Sequence, residues 1–344
     1  VFSKLISALV PGAGTRHGIL IVDVLVQDRG EKCMLKPKAL IPGDTVALVS
    51  PSSPSTAESV EKAAQAVEDL GFRVKLAPGC GEALGYLAGP DEIRARDIND
   101  MFADPEVKGV FCLRGGDGAT RIVDRIDVKT VTENPKVFLG YSDITVLHAV
   151  MNQEAGLCTF HGPMPASDFA GKTFPGYVRE HLMKALCRTE PLGDIRPHES
   201  DPPLETLVPG VAEGELVGGN LALVCALLGT PWEIDAREKI LILEDTDEPP
   251  YRIDRMLTQL RLAGKLHEAA GIVLGQFTNV KPKNPKRTFA LKEIFEAVVA
   301  PIGKPTLLNG CFGHGDYKVT LPLGARALID GDACRFAVLE AGVC

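Results

Sequence analysis

Tryptophan is nearly absent, with one residue in 344, and all aromatics together reach only 6%. Long apolar runs are missing too. None approaches the ~18 residues a membrane-crossing helix needs, so no span is expected. There is no HExxH, no CxxC and no paired His/Cys spacing, which removes the usual signatures of zinc or thiol–disulfide chemistry. No internal repeat or low-complexity tract is visible, which argues against a solenoid or a linker protein. Nor is there a cationic excess: 37 Lys and Arg face 45 Asp and Glu, a formal charge of −8. A mildly acidic surface argues against a nucleic-acid backbone or an anionic membrane as the main partner.

What is present is ordinary for a globular chain: 45% apolar and 24% charged residues, with length for roughly two domains. The nine cysteines are odd in number and scattered, and several sit in apolar runs, such as Cys112 and Cys225. They read as small buried hydrophobes in a reducing compartment. With no convincing signal peptide, a cytoplasmic location is expected. Residues 1–33 lead awkwardly into the rest and are expected to be a loosely attached, poorly ordered extension; a short strand at Gly18–Val26 is the opposing reading.

From Met34 onward, strands and helices alternate. Val46–Ser50, Phe72–Leu76, Gly109–Leu113 and Val137–Gly140 are short apolar runs bounded by turn residues, hence strands. Ser55–Leu70 has helical apolar spacing closed by Gly71, and Pro90-Asp91 opens a helix with Ile93, Ile98, Met101 and Phe102 on one face. This alternation predicts a parallel sheet covered by helices. Residues 187–215 are rich in Pro and acids and are expected to be a linker between a domain at 34–186 and one at 216–344. In the latter, a helix is predicted to start near Asn220, with strands at Lys239–Leu243 and Gly271–Phe277. Helices are predicted around Ile253–Leu260, stopped by Gly264, and at Leu291–Val299.

Sites in open α/β sheets lie at the carboxyl ends of strands. Gly140-Tyr141-Ser142-Asp143 follows one such strand and leads into a helix. That resembles a nucleophile elbow, with the serine oxygen pushed out beside free helix N–H groups. Ile144 replaces the second Gly of G-x-S-x-G, however, and on these four residues alone Ser142 reads better as a plain helix N-cap. Leu113-Arg114-Gly115-Gly116-Asp117-Gly118 follows another strand; it reads as half an oxyanion hole, a phosphate cradle of a nucleotide-dependent kinase, or an ordinary turn. Glu244 directly follows the KILIL strand and suits an orienting role; the acidic run 244–248 also admits a hard-cation site, but Asp245 and Asp247 read better as a solvated loop. His314, flanked by Gly313 and Gly315, suggests an exposed, mobile loop tip bringing an imidazole to a cleft. His161 is its rival, and His148 reads as a packing residue.

These pieces occur together, and in this order, in one family. The chain resembles the serine peptidases of the LD-carboxypeptidase type, which also include the microcin immunity peptidases. The resemblance rests on PGDTVALVSPSSP (42–54), LRGGDG (113–118), FLGYSDITVLH (138–148) and TFHGPM (159–164). It continues through GGNL (218–221), GTPW (229–232), ILILEDTDEPPYRIDRMLTQL (240–260) and GCFGHGD (310–316). Residues 1–33 fall outside it. The family often has an aromatic residue where Asp117 stands, and immunity-type members tend to be longer.

The resemblance implies an α/β protein whose first domain is a flavodoxin-like or amidotransferase-like parallel sheet. The second would be a smaller, swivelling-type α/β domain, and the assembly a homodimer. It implies a Ser142–Glu244–His314 triad, an oxyanion hole from the N–H groups of Gly116 and Asp143, and neither metal nor cofactor. The expected reaction is hydrolysis of an L–D peptide bond, releasing D-alanine from a cytoplasmic murein tetrapeptide in cell-wall recycling. Arg114 and Asn220 are candidate substrate contacts. A microcin C-type immunity peptidase acting on an aminoacyl nucleotide is the alternative within the family; a kinase using the GGDG loop is the alternative from another class.

Overall fold

Residues 34–171 and 174–344 are described by the structure, a computed structural model. The expected extension at 1–33 and the alternative strand at Gly18–Val26 lie outside the described residues. In the first sheet, β1 (Thr45–Val49), β2 (Arg73–Leu76), β3 (Val107–Cys112), β4 (Val137–Gly140) and β5 (Thr159–His161) run parallel. Helices α1 (Ala57–Glu68), α2 (Asp91–Ala103) and α3 (Val128–Glu133) connect the first four strands. Helix α4 (Thr145–Val150) follows β4, and α5 (Gly176–Cys187) follows β5.

The predicted linker is not a free connector. It contributes β6 (Gly193–Asp194), β7 (Glu205–Val208) and the first half of β8 (Val211–Asn220) to a second sheet. The strands β6 and β7 occupy its two opposite edges. Pro-flanked polar strands suit edges, where missing donors and solvated side chains cost little; that is why this segment reads as a linker. The sheet continues through β9 (Ile240–Thr246), β10 (Gly271–Thr278) and β11 (Thr306–Leu308), parallel to β8. Of its remaining strands, β13 (Arg326–Asp330) pairs antiparallel with β8, and β14 (Arg335–Val338) antiparallel with β13. This sheet has eight strands against six in the first, so the lobe expected to be smaller holds the larger sheet. Around it pack α6 (Leu221–Ala226), α7 (Pro250–Leu262), α8 (Lys265–Glu268) and α9 (Leu291–Val298).

The remaining strand, β12 (Leu321–Leu323), crosses back to the first sheet, where Leu321 pairs antiparallel with His161 of β5. The chain between β11 and β12 is therefore fixed to a different sheet at each end.

The apolar core also joins the two lobes. Strand alternation sends Val46 and Leu48 of β1 into one buried cluster and Ala47 and Val49 into the other. Ile240 and Ile242 of β9 enter the first of these, Leu241 and Leu243 the second. Each cluster thus lies along a face of both sheets. Full burial of such side chains is worth about 1.5–3 kcal/mol each, which favours a fixed relation between the strand ends where the candidate residues sit.

Candidate active site

Ser142 has φ +64°, a left-handed conformation uncommon for a residue with a side chain. The turn is tight: a Cβ on Gly140 would come within 2.8 Å of the Ile144 side chain. Ser142 opens the 3₁₀ turn Ser142–Ile144, but its side chain makes no capping bond. The plain N-cap reading is therefore not what the structure shows; a half-buried hydroxyl stands on a sharp strand-to-helix turn. Left-handed backbone in a non-glycine residue costs of order 1–3 kcal/mol and collects at functional sites.

Two glycines shape the space beside it. A Cβ on Gly115 would lie 3.0 Å from Ser142 Oγ and 3.4 Å from the Asp143 nitrogen. The missing side chain therefore leaves room next to both atoms. Gly116 has φ +117°, and a Cβ there would strike Ser53 Oγ at 2.2 Å. The Gly116 N–H has no acceptor among the described residues. Ser53 Oγ accepts the Asp117 N–H at 3.0 Å, tying the loop after β1 to the loop after β3.

The side chain of Asp143 faces inward. Its Oδ2 accepts from Ser52 Oγ at 2.7 Å and from the Ala119 N–H at 2.8 Å, and burial pushes its pKa up. Arg94, fully buried on α2, donates to the carbonyls of Pro51 and Gly118 and pairs with Asp91. One guanidinium thus braces both loops that border Ser142. His148 Nε2 donates to the Gly140 carbonyl at 2.9 Å, and its Nδ1 accepts from Thr159 Oγ1. Burial holds its pKa down at about 4, so it is a neutral packing residue, as expected.

On the second sheet, β9 carries Glu244 at full burial. Its Oε2 lies 2.7 Å from His314 Nδ1, and its Oε1 has no partner among the described residues. A carboxylate acceptor requires a proton on Nδ1, which leaves Nε2 free to act as a base. Burial alone lowers the His314 pKa, but the Glu244 charge and hydrogen bond outweigh it, and the net shift is upward.

His314 is not the exposed tip its flanking glycines suggest; its side chain is only 17% exposed. The Gly315 N–H donates to Gln276 Oε1 of β10 at 2.9 Å, and a Cβ on Gly313 would lie 2.8 Å from Glu244 Oε2. These glycines admit close packing. The His314 ring lies against Tyr141, the residue before Ser142, at 4.8 Å between centroids. No direct Ser142–His314 hydrogen bond is formed among the described residues.

Tyr141 anchors a polar cluster that the sequence did not disclose. Lys318 Nζ lies 4.8 Å from its ring centroid, 3.2 Å from its hydroxyl and 2.6 Å from Asp168 Oδ1. Asp168 Oδ2 accepts the Met164 N–H at 2.8 Å. His161, the rival histidine, is buried edge-on to Tyr141 with no partner on either ring nitrogen among the described residues. Burial drives its pKa far down. Tyr141 lay within the GYSD motif, but nothing local marks Lys318, Asp168, Arg94 or the two serines as belonging to one site.

The other expectations separate. Asp245 is a buried strand residue, not part of a solvated loop: its carboxylate accepts from Asn220 Nδ2, Ala222 N and Thr246 N. Burial first, then the Glu244 charge, raise its pKa to about 6. Asp247 is the exposed one, at φ +60°. Asn220 is buried and caps α6 by accepting the Leu223 N–H at 3.2 Å, so its amide is engaged within the protein. Arg114 is exposed beside Gly115, with a 3.4 Å contact to the Pro54 carbonyl.

A serine on a strained elbow and, against the residue before it, a histidine held by a buried carboxylate are the side chains that serine hydrolases with a carboxylate–histidine pair use. Within that class the chain belongs to the LD-carboxypeptidase family: the N-terminal domain of that family matches residues 46–162 and its C-terminal domain residues 213–329. A probable murein peptide carboxypeptidase of Bacillus subtilis is 44% identical over 308 residues, covering 90% of this chain and 95% of that protein. The solved muramoyltetrapeptide carboxypeptidase of Oxalobacter formigenes is 28% identical with a TM-score of 0.75, covering 86% and 97% of the two chains. The microcin C7 self-immunity protein MccF is 25% identical with a TM-score of 0.81, covering 90% and 100%.

Proposed function

We propose that the protein is a serine LD-carboxypeptidase that removes the terminal D-alanine from murein tetrapeptides, with Ser142 as nucleophile. The observation that carries this reading is the 2.7 Å Glu244–His314 pair, whose ring rests on the residue preceding the strained serine. His314 Nε2 takes the Ser142 proton as Oγ attacks the carbonyl carbon of the L–D bond. Glu244 holds the tautomer and offsets the imidazolium charge. The N–H groups of Gly116 and Asp143 stabilise the oxyanion, in the space the absent Gly115 side chain leaves. His314 then gives its proton to the departing D-alanine amine, and water hydrolyses the acyl-serine by the same route in reverse. Arg114, on the rim, is a candidate for the substrate's terminal carboxylate.

The 44% identity to a murein peptide carboxypeptidase favours this substrate. The TM-score of 0.81 to MccF keeps an immunity-type peptidase as a second reading. Against it, the single Trp232 is partly buried against the core and offers no free stacking platform. The reading carries a cytoplasmic location and a homodimer with it. The test is D-alanine release from free tetrapeptide by wild type and Ser142→Ala, with and without a chelator. Chelator-sensitive release, or release that survives Ser142→Ala, would sink the mechanism. Faster turnover of an aminoacyl-sulfamoyl nucleotide than of tetrapeptide would favour the second reading.

A further inference from the structure

At the carboxyl end of β9 and β10, past the Thr246–Thr278 pair, the chain opens a second concave site. It lies between the start of α7 and the 279–290 loop and has a volume of about 600 Å³, within the range of small-ligand sites. Lys283, Lys286 and Arg287 line it, with Asp254 as the lone carboxylate and Tyr251 and Phe289 as the aromatic surfaces.

Three features distinguish it from an ordinary wet surface. First, Lys283, Lys286 and Arg287 have no carboxylate partner among the described residues, in a chain of net charge −8. Second, the cations are held on a short, stiffened segment, KPKNPKR (281–287), with two prolines. Asn284 accepts the Lys286 N–H through Oδ1 at 3.1 Å and the Arg287 N–H through its carbonyl at 3.0 Å. Third, the Phe289 ring is uncovered, at 65% exposed, while Tyr251, 44% exposed, carries Arg255 and Lys283 over its ring, each 5.3 Å from the centroid.

We infer that this pocket binds a nucleoside diphosphate. Lys286 and Arg287 take the phosphates, Phe289 stacks the base, and the Asp254 carboxylate accepts a ribose hydroxyl. A sugar would leave the cations idle, and inorganic phosphate would leave the Phe289 ring idle. The inference goes beyond the carboxypeptidase reading and does not rest on it.

Calorimetric titration of the full chain with UDP, pyrophosphate and uridine tests it without reading turnover. UDP is expected to bind at least tenfold more tightly than either fragment. The Lys286→Ala/Arg287→Ala variant should weaken UDP and pyrophosphate at least tenfold, and Phe289→Ala should weaken UDP but not pyrophosphate. All variants should keep the wild-type melting temperature, since these side chains are on the surface. UDP affinity unchanged in both variants, or no tighter than pyrophosphate, would overturn the inference. So would absent UDP binding together with a sedimentation shift in the double variant, which would make the patch a protein contact.

Discussion

The imidazole of His314 rests on the phenol ring of Tyr141, 4.8 Å between centroids and tilted by 52°. The first comes from the loop after β11 in one sheet, the second from the turn after β4 in the other. That contact brings the only carboxylate-held histidine among the described residues beside the strained serine.

In the proposed mechanism Ser142 supplies the nucleophile, so Ser142→Ala should abolish turnover, by at least about 10³-fold in kcat. Ser142→Gly should be equally inactive yet more stable, by about 1 kcal/mol, since glycine adopts φ +64° without strain. Thermal denaturation of the three proteins checks the ordering. A Gly variant less stable than wild type would show that the turn carries no strain.

The acid limb of kcat/KM should lie above the ordinary histidine pKa of about 6.5, because the proposed mechanism needs neutral His314 and its pKa is raised. Activity therefore rises with pH through this limb. Glu244→Gln removes the charge that does the raising and leaves burial, which lowers it. The limb should move to lower pH, with kcat reduced about 10²–10⁴-fold. A rate profile across pH 5–9 decides; an unmoved limb would mean that His314 is not the titrating base.

Gly115→Ala adds a methyl 3.0 Å from Ser142 Oγ and 2.9 Å from its Cβ. The hydroxyl must shift and the space beside the Asp143 N–H fills. Turnover should fall about 10²–10³-fold, the usual cost of disturbing an oxyanion donor, with circular dichroism unchanged. Wild-type turnover in this variant would remove Gly115 from the site.

Lys318→Met leaves Asp168 buried without its cation. The two side chains are 7% and 14% exposed, so the loss should be about 3 kcal/mol, read by urea denaturation. Lys318 also opposes protonation of His314. The variant should therefore shift the acid limb upward, opposite to Glu244→Gln. A fall in stability with no shift of the limb would limit Lys318 to a structural role.

Much of this was legible along the chain. The apolar runs Val46–Ser50, Val137–Gly140 and Lys239–Leu243 became strands because alternate side chains find an apolar cluster on each side. The glycines at 115, 116 and 140 marked tight turns, and each is hemmed by a neighbour at 3.0 Å or less; Gly313, which reads as the flank of an exposed tip, is hemmed as closely. The linker was misleading: Pro and acidic residues mark edge strands as readily as connectors, and composition cannot tell the two apart. Asp245 was misleading for the same reason. An acidic run reads as solvated until three donors are found around one of its members. The KPKNPKR segment carries no local mark of a site, since only folding sets it beside Tyr251 and Asp254.

The sequence by itself determined the strands that alternate with helices and the tight turn at which Ser142 sits, because these depend on local periodicity and on the backbone freedom of glycine, and its ordered set of motifs carried the family resemblance. Only the tertiary structure decided that β12 crosses to the first sheet, pinning the His314 loop beside Tyr141, and that Lys318, Asp168 and Arg94 brace the site from within. Those relations join residues up to 177 positions apart. They arise from burying two shared apolar faces, a property of the assembled chain that no local stretch of residues contains.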